Sequence, residues 1–392
     1  ELSTRLNETA VVVDALLGVG LKEDVRGLIA DVIDLVDHSS ADVVAVDIPS
    51  GIHADTGRQL GRAMQCAETV TFALPKRGHY LHPGKERCGL LRVVDIGIPE
   101  SLIEDVGVVG AVLDYGDGPG LLPARSGDSH KGTYGHCVVV AGSPATPGAA
   151  VLAALGALRG GAGLVSWTTN ELTRARAPAL VPEVMLRLHD GLRADAIATL
   201  ALDGADAMVI GPGLGMDDEV VSLVRETFRR SAVPLCVDAD ALNLMAVHPE
   251  LWDDVHTPVV ITPHPKEMAR LMGCDVEEVQ RDRFAAALQV ALRRECVVVL
   301  KGAGTVIASP DGEVSILDVG NPGMATGGTG DALAGMIGAM LAQGFDFERA
   351  ALVGTLLHGC AGDLAADQKS QTAMTARDVL DAVPAVLVDW ER

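Results

Sequence analysis

Aromatic residues make up only 3% of this 392-residue chain. So few rings cannot line a base-stacking surface for single-stranded nucleic acid, nor a lectin-like aromatic platform. Positive charge is scarce too: 31 Lys and Arg stand against 53 Asp and Glu, a formal net charge of -22. That balance repels nucleic acid and anionic membrane, so neither is expected as a partner. Any phosphate site must rest on backbone dipoles and a few lysines. No apolar run reaches the ~18 residues of a membrane span; the best candidate, Ala149–Val165, carries Arg159. The seven cysteines are scattered, odd in number and without a Cys-x-x-Cys pair. That pattern offers no zinc site and suits buried reduced thiols. With no signal-peptide pattern before the first strand-like segment, a cytoplasmic protein is expected.

What is abundant is apolar and small. The 48% apolar content rules out a largely disordered chain, and the length suits two or three domains with large cores. Short β-branched runs alternate with helical patterns, the signature of layered α/β domains with largely parallel sheets. Early strand candidates are Ala10–Asp14, Val43–Asp47, Thr69–Leu74 and Leu91–Ile96, with a helical spacing over Leu21–Val36. Gly107–Gly127 is irregular and rich in Gly, Pro and Asp, which places a domain boundary in or just before it. Later candidates are His136–Ala141, Leu164–Thr168, Ala207–Ile210, Leu235–Asp238, Val259–Ile261 and Val297–Leu300. Val306–Ser309 and Val314–Leu317 flank Pro310-Asp311-Gly312 and read as a hairpin.

The stretch Gly320–Asp331 is glycine-rich, and up to Gly330 it cannot form a regular element by propensity. From Ala332 the residues are apolar on all sides up to Gln343, and Gly344 is a C-terminal stop. This predicts a flexible loop feeding a buried helix whose exposed N–H groups and positive dipole end attract an anion. Asp331 has two readings. It either stabilises the first helical turn by roughly 0.3–1 kcal/mol, or serves as a base for a hydroxyl attacking a phosphoryl group. The dipole is expected to keep it ionised at neutral pH.

Ligands of open α/β sheets bind outside the carboxyl ends of strands. Polar or glycine-rich clusters stand at several such ends: Ala141–Ser143 with Gly148-Ala149, Gly211–Gly215, Asp238–Asn243, Thr262–Glu267 and Lys301–Thr305. Singly, each has a plain alternative. A Gly-rich strand end is usually a tight turn, His264 a surface residue, Lys301 a solvated strand end, and Asp238 and Asp240 caps of the following helix. Together they outline a long cleft for a large ligand with several phosphates.

These stretches, with Ser129–Gly132, Gly161–Val165 and Asn321–Asp331, resemble the NAD(P)H-hydrate dehydratases of the ribokinase-like superfamily. The resemblance implies a repair reaction, in which ADP or ATP phosphorylates the ring hydroxyl of hydrated NADH or NADPH in its S form. Phosphate then leaves and the normal cofactor returns. It implies Asp331 as the base in contact with that hydroxyl, and Ala149, Gly213, Gly215 and His264 lining the hydrated dinucleotide. The nucleotide would be held by Lys301, Gly302, Ala303, Gly304 and Thr305, with Gly327, Gly328, Thr329 and Gly330 forming the anion hole. Magnesium is expected with the nucleotide.

The first third resembles the later half of the NAD(P)H-hydrate epimerases through Val13–Gly20, Asp47–Gly51, Leu74–Lys76 and Asp95–Pro99. That resemblance implies potassium at Asp14 and Ser50, substrate phosphate at Gly18, Val19, Gly20, Leu21, Lys22, Glu23 and Asp24, and the hydrated ring at Asp47. An Asn-Asn-Gly-Gly-Asp-Gly-like loop of that family is absent from the sequence, so weak epimerisation and an unpaired sheet edge near Ala10–Asp14 are expected. The expected organisation is a partial Rossmann-like domain over 1–107, then a ribokinase-like α/β domain over 108–392, in a homo-oligomer. The competing reading is a ribokinase-like kinase that leaves phosphate on a hydroxymethyl-pyrimidine or thiazole.

Overall fold

The computed structural model describes residues 5–6, 8–106, 110–177 and 181–392. They form two compact units, Glu1–Val109 and Gly110–Arg392.

The first unit is a four-stranded sheet in the order β1-β2-β3-β4. Its strands β1 (Val11–Asp14), β2 (Asp42–Val46), β3 (Glu68–Phe72) and β4 (Leu90–Val94) are all parallel. A common direction brings the carboxyl ends to one rim, so Asp14, Asp47, Lys76 and Asp95 follow strands at the same edge of the sheet. Helix Leu28–Asp37 buries Ile33 and Val36 against Val43 and Ala45. The helical spacing from Leu21 is overruled as far as Gly27. Val25 is drawn into an isolated bridge with Gly61, and Gly27 turns the chain at φ 61° before the helix begins. β1 is an edge of the sheet, with Val11 54% and Val13 65% exposed.

The second unit carries a ten-stranded sheet in the order β5-β14-β13-β12-β11-β10-β9-β6-β7-β8. Its strands are β5 (Ala111–Leu113), β6 (His136–Val140), β7 (Leu164–Thr169), β8 (Met185–Leu188), β9 (Ala207–Ile210), β10 (Leu235–Val237), β11 (Val259–Ile261), β12 (Val297–Leu300), β13 (Val306–Ala308) and β14 (Val314–Leu317). Pairing is parallel except for β12–β13 and the β13–β14 hairpin, which is closed by Pro310-Asp311-Gly312. Two strands escape the sequence pattern. β5 lies inside the stretch expected to be irregular and is fixed by parallel pairing with β14. β8 has no β-branched residue and is held by β7.

Helix Thr329–Ala342 is buried along nearly its whole length. It starts at Thr329, so Thr329 and Gly330, expected in the loop, join Asp331 in its first turn. Beyond Ala342, Gly344 takes φ 85° and its N–H bonds to Leu341 O at 3.0 Å, ending the helix at the expected place. The helix packs on Pro147–Arg159 with backbones in near contact: a Cβ on Gly335 would lie 2.0 Å from Ala153 O. Small residues here are a packing requirement. The larger ones, such as Met336 and Ile337, are fully buried and contribute about 1.5–3 kcal/mol each.

After β6 the chain runs to β7 and β8 on one side, then returns to β9 on the other side. This reversal opens a crevice at the carboxyl ends of β6 and β9. Among the described residues no helix is long and apolar enough to cross a membrane. All seven cysteines are unpaired, and six of them are buried.

Candidate active sites

In the second unit the strand-end clusters converge. Gly142 N–H donates to Pro212 O at 2.7 Å across the reversal point. The Thr146 hydroxyl donates to Gly213 O at 2.8 Å, and a Cβ on Gly213 would stand 2.9 Å from the Ala149 methyl. Ala149 and Gly213 are therefore neighbours, as two residues lining one ligand would be. Gly215 donates its N–H to Asp240 Oδ2 at 2.8 Å. Gly211, at φ 126°, lies so close to the end of β10 that a Cβ would sit 1.9 Å from Asp238 O; only glycine fits.

Asp238, 1% exposed, accepts a hydrogen bond from Lys301 Nζ at 2.7 Å. Neither residue is a solvated strand end, and Asp238 does not cap the next helix, whose N-cap is Ala239. Burial alone would lower the Lys301 pKa, but Asp238, Glu267 and Asp331 outweigh it and raise it. Lys301 thus stays charged, with its ammonium turned inward. The site of a Cβ on Gly330 lies 3.2 Å from that ammonium and 3.7 Å from Asp238 Oδ2. The first turn of helix Thr329–Ala342 therefore sits directly over the ion pair.

Asp331 stands in that turn. Burial, then the negative charge of Asp238, push its carboxyl up to about 7, with Asp240 and Glu267 adding and Lys301 opposing. The expectation that the helix dipole keeps it ionised at neutral pH is corrected. A dipole end worth roughly half a charge loses to burial among three other carboxylates. A carboxylate with a pKa close to neutral is a better proton acceptor than an ordinary one and is still available at pH 7.

The glycine-rich loop before this helix is tethered from behind. Asp363 accepts from Gly320 N at 2.8 Å and from Asn321 Nδ2 at 3.0 Å. Thr329 turns its hydroxyl inward, donating to Met324 O and Thr326 O at 3.0 and 2.9 Å. Its side chain is thus structural, and what it can offer an anion is its backbone N–H. First-turn N–H groups have no partner within the helix. Gly327 is open, with nothing within 4 Å of a Cβ, and Gly328 is the left-handed N-cap.

The Lys301–Thr305 loop has a support that sequence reasoning missed. The Arg283 guanidinium, 6% exposed, donates through Nη2 to Leu300 O, Lys301 O and Gly304 O at 3.0, 3.2 and 3.4 Å. Burial lowers its pKa to about 10, so it is charged. His264 was open to being a bland surface residue; it is the N-cap of helix Pro265–Met272. Its Nδ1 takes the N–H groups of Lys266 and Glu267, while Glu267 Oε2 accepts from His264 N at 2.8 Å.

In the first unit Asp14 and Ser50 are brought together. Asp14 Oδ2 accepts from Ser50 N at 2.8 Å, and the Ser50 hydroxyl lies 2.6 Å from Asp14 Oδ1 and 3.3 Å from Leu17 O. The donor set is all oxygen, which suits a hard cation. Gly18, Gly20, Leu21, Lys22 and Glu23 of the expected phosphate loop border an open concavity of about 500 Å³, and Val19 and Asp24 do not; a Cβ on Gly18 or Gly20 would meet nothing within 4 Å.

Asp47 ends β2 in a left-handed turn at φ 70°, its strained backbone held by His79 Nε2 donating to Asp47 O at 2.9 Å. Its carboxylate pairs with Lys76 and accepts from Thr71 Oγ1 at 2.8 Å. Burial would raise the Asp47 pKa, but hydrogen bonds from Lys76, Thr71 and Phe72 hold it below the ordinary value. His79 is pushed down to about 4, chiefly by burial, and is neutral. Thr71 and His79 were missed because nothing local in the sequence marks them; Lys76 was seen only as part of a motif. Among the described residues no three His, Cys, Asp or Glu converge as a metal cage.

A family profile described as NAD(P)H-hydrate dehydratase matches residues 137–385, and one described as YjeF-related protein N-terminus matches residues 1–78. The bifunctional NAD(P)H-hydrate repair enzyme Nnr of Moorella thermoacetica is 44% identical over 388 residues, 97% of this chain and 73% of that protein. The crystal structure of the ADP/ATP-dependent NAD(P)H-hydrate dehydratase of Bacillus subtilis, co-crystallised with ATP and Mg2+, matches with a TM-score of 0.61 and 36% identity. The match covers 69% of this chain and 95% of that one. A ribokinase-like superfamily protein from Enterococcus faecalis matches with a TM-score of 0.65 and 26% identity, over 72% of this chain and 97% of that one. The second unit is therefore a ribokinase-like α/β fold, and the chain belongs to the bifunctional NAD(P)H-hydrate repair enzymes.

Proposed function

We propose that the second unit dehydrates the S form of hydrated NADH or NADPH at the expense of an adenine nucleotide, ADP or ATP. The observation that carries this reading is Asp331 in the first turn of a buried helix, over the Lys301–Asp238 pair and beside a glycine-lined anion hole. Hydroxide is a poor leaving group and phosphate a good one. Asp331 takes the proton of the ring hydroxyl as its oxygen bonds to the terminal phosphorus and the bond to the nucleotide breaks. The C–O bond then breaks with its electron pair going to phosphate. The departing phosphate takes a proton from the neighbouring ring carbon, the C–H electron pair forms the ring double bond, and the reduced cofactor returns.

The nucleotide is assigned to the Lys301–Thr305 loop and the backbone of Gly327–Gly330, and the hydrated dinucleotide to Ala149, Gly213, Gly215 and His264. Mg2+ is expected to ride on the nucleotide's phosphates, since magnesium keeps several waters and commonly binds through substrate phosphates; when bound it would neutralise phosphate charge. For the first unit we propose at most weak interconversion of the R and S hydrates, since the Asn-Asn-Gly-Gly-Asp-Gly-like loop of that family is absent from the sequence. Asp47 would face the ring, Gly18–Asp24 the phosphate, and the Asp14, Ser50 and Leu17 oxygens a potassium ion. A homo-oligomer in the cytoplasm is the expected setting.

Thermal-shift titration tests the nucleotide site. ADP or ATP should stabilise the chain, and Gly330→Val should weaken the shift by driving a branched side chain toward the Lys301 ammonium. Absence of any shift at millimolar nucleotide would refute the assignment. Phosphate released as free ion, rather than kept on a product alcohol, separates a dehydratase from a small-molecule kinase.

A further inference from the structure

His264 Nδ1 lies 3.0 Å from Lys266 N and 3.2 Å from Glu267 N. Backbone amides only donate, so Nδ1 accepts from both and carries no proton. In the neutral ring the proton is then on Nε2. Adding a second proton at Nδ1 would set an N–H against two N–H groups at the positive end of a helix dipole. The groups around the ring are Lys301 and Arg270, which oppose that charge, Asp238, which favours it, and the Glu267 carboxylate near Nε2. Burial, then Lys301, keep the imidazole below its ordinary pKa. Nε2 stands 3.5 Å from Glu267 Oε1, too far for an ordinary hydrogen bond, and the side chain is 44% exposed.

We propose that the N-cap fixes His264 as a single neutral tautomer, so that it serves the hydrated dinucleotide as a hydrogen-bond donor through Nε2 and never as a proton acceptor. The part concerning substrate rests on the proposed dehydratase reading. The helix cap and the substrate contact then use opposite edges of one ring. The proton given up by the ring hydroxyl goes to Asp331, and His264 takes neither that proton nor the one leaving the ring carbon. Its donor meets an acceptor oxygen of the substrate instead.

The direct test is a two-bond proton–nitrogen correlation spectrum of the chain with ring-labelled histidine, the signals assigned by His264→Asn. One pyridine-type nitrogen at Nδ1 and one pyrrole-type nitrogen at Nε2 are expected. The pattern should be unchanged from about pH 5.5 to 8, across the ordinary histidine pKa of about 6.5. A reversed or averaged pattern, or titration in that range, overturns the proposal. His264→Asn adds a kinetic arm, because asparagine is a strong N-cap whose amide ends short of the Nε2 position. It should melt near the wild type and lose roughly ten- to a hundredfold in kcat/KM for hydrated NADH. The nucleotide KM and the acid limb of the pH profile should stay in place. Wild-type activity in this variant, or loss of the acid limb, refutes the donor role. If His264→Asn is unstable, the wild-type spectrum still decides. If wild-type protein fails to restore NADH, the dehydratase reading falls, while the spectrum still tests the fixed donor.

Discussion

Asp47 and Asp331 each stand near a buried or half-buried lysine at the rim of a parallel sheet, yet their acidities are displaced in opposite directions. Asp47 has Lys76 in direct contact, with hydroxyl and amide donors around it, and its pKa falls. Asp331 shares Lys301 with Asp238 and Glu267, and its pKa rises to about 7. Residue type and the presence of a lysine do not settle the matter. The local count of carboxylates per ammonium, and the depth of burial, do. One unit therefore holds a carboxylate kept below its ordinary pKa, and the other holds one raised to about 7.

Removing the Asp331 carboxylate should have the largest effect. Asp331→Asn is expected to lower kcat by roughly 10²–10⁴-fold while nucleotide still shifts the melting temperature. Retention of more than about a tenth of the rate would take Asp331 out of the base role. Its stability effect has the opposite sign. The folded pKa is raised from 3.8 to about 7, so the native state holds the proton more tightly than the unfolded chain. The stability gained from that proton is complete below the unfolded value and is lost as pH rises through about 7. Melting curves at pH 8 should therefore show Asp331→Asn at or above the wild type, and kcat/KM of the wild type should fall on the acid side of about pH 7.

Lys301→Met breaks the shared cation. It leaves Asp238 buried without its partner, so a loss of about 3–5 kcal/mol in denaturant unfolding is expected. In any surviving activity the acid limb should move to higher pH, because the charge that opposes Asp331 protonation is gone. A limb that stays put would mean that Lys301 does not act on Asp331.

These sites were legible in the sequence to different depths. Asp331 and its glycines lie in one contiguous stretch, and helix physics alone marks them. Its pKa was not legible, because Asp238 pairs with Lys301 across 63 positions and only the sheet order brings them together. Strands rich in Val and Ile were readable; β8, Met-Leu-Arg-Leu, and the three-residue β5 exist by virtue of their neighbours. Arg283 sits at a helix start 17 to 21 residues from the carbonyls it holds, a relation that no periodicity reveals.

Arg283→Met should sharpen the contrast between positioning and chemistry. The nucleotide KM is expected to rise roughly tenfold, with kcat changed much less, since the charged hydrogen bonds shape the loop and touch no reacting atom. Equal losses in both constants would place Arg283 closer to the chemistry. The smallest effect is expected in the first unit. Thr71→Val removes one hydrogen bond from Asp47 and should cost about 1 kcal/mol. Because the folded Asp47 pKa is lowered, its stabilisation is present above the unfolded value of 3.8 and fades as pH falls through the folded one. The Thr71→Val deficit should accordingly shrink in acid.

The central claim is that a carboxylate tuned toward neutrality, over a helix-start anion hole, turns hydroxide into a phosphate leaving group. Mixing the protein with hydrated NADH, ADP and magnesium, and following reduced-nicotinamide absorbance with phosphate release, tests it most directly. The account predicts that absorbance returns in step with free phosphate, only when nucleotide is present, and hardly at all with Asp331→Asn. Recovery without nucleotide, or a stable phosphorylated product with no return of absorbance, would contradict it.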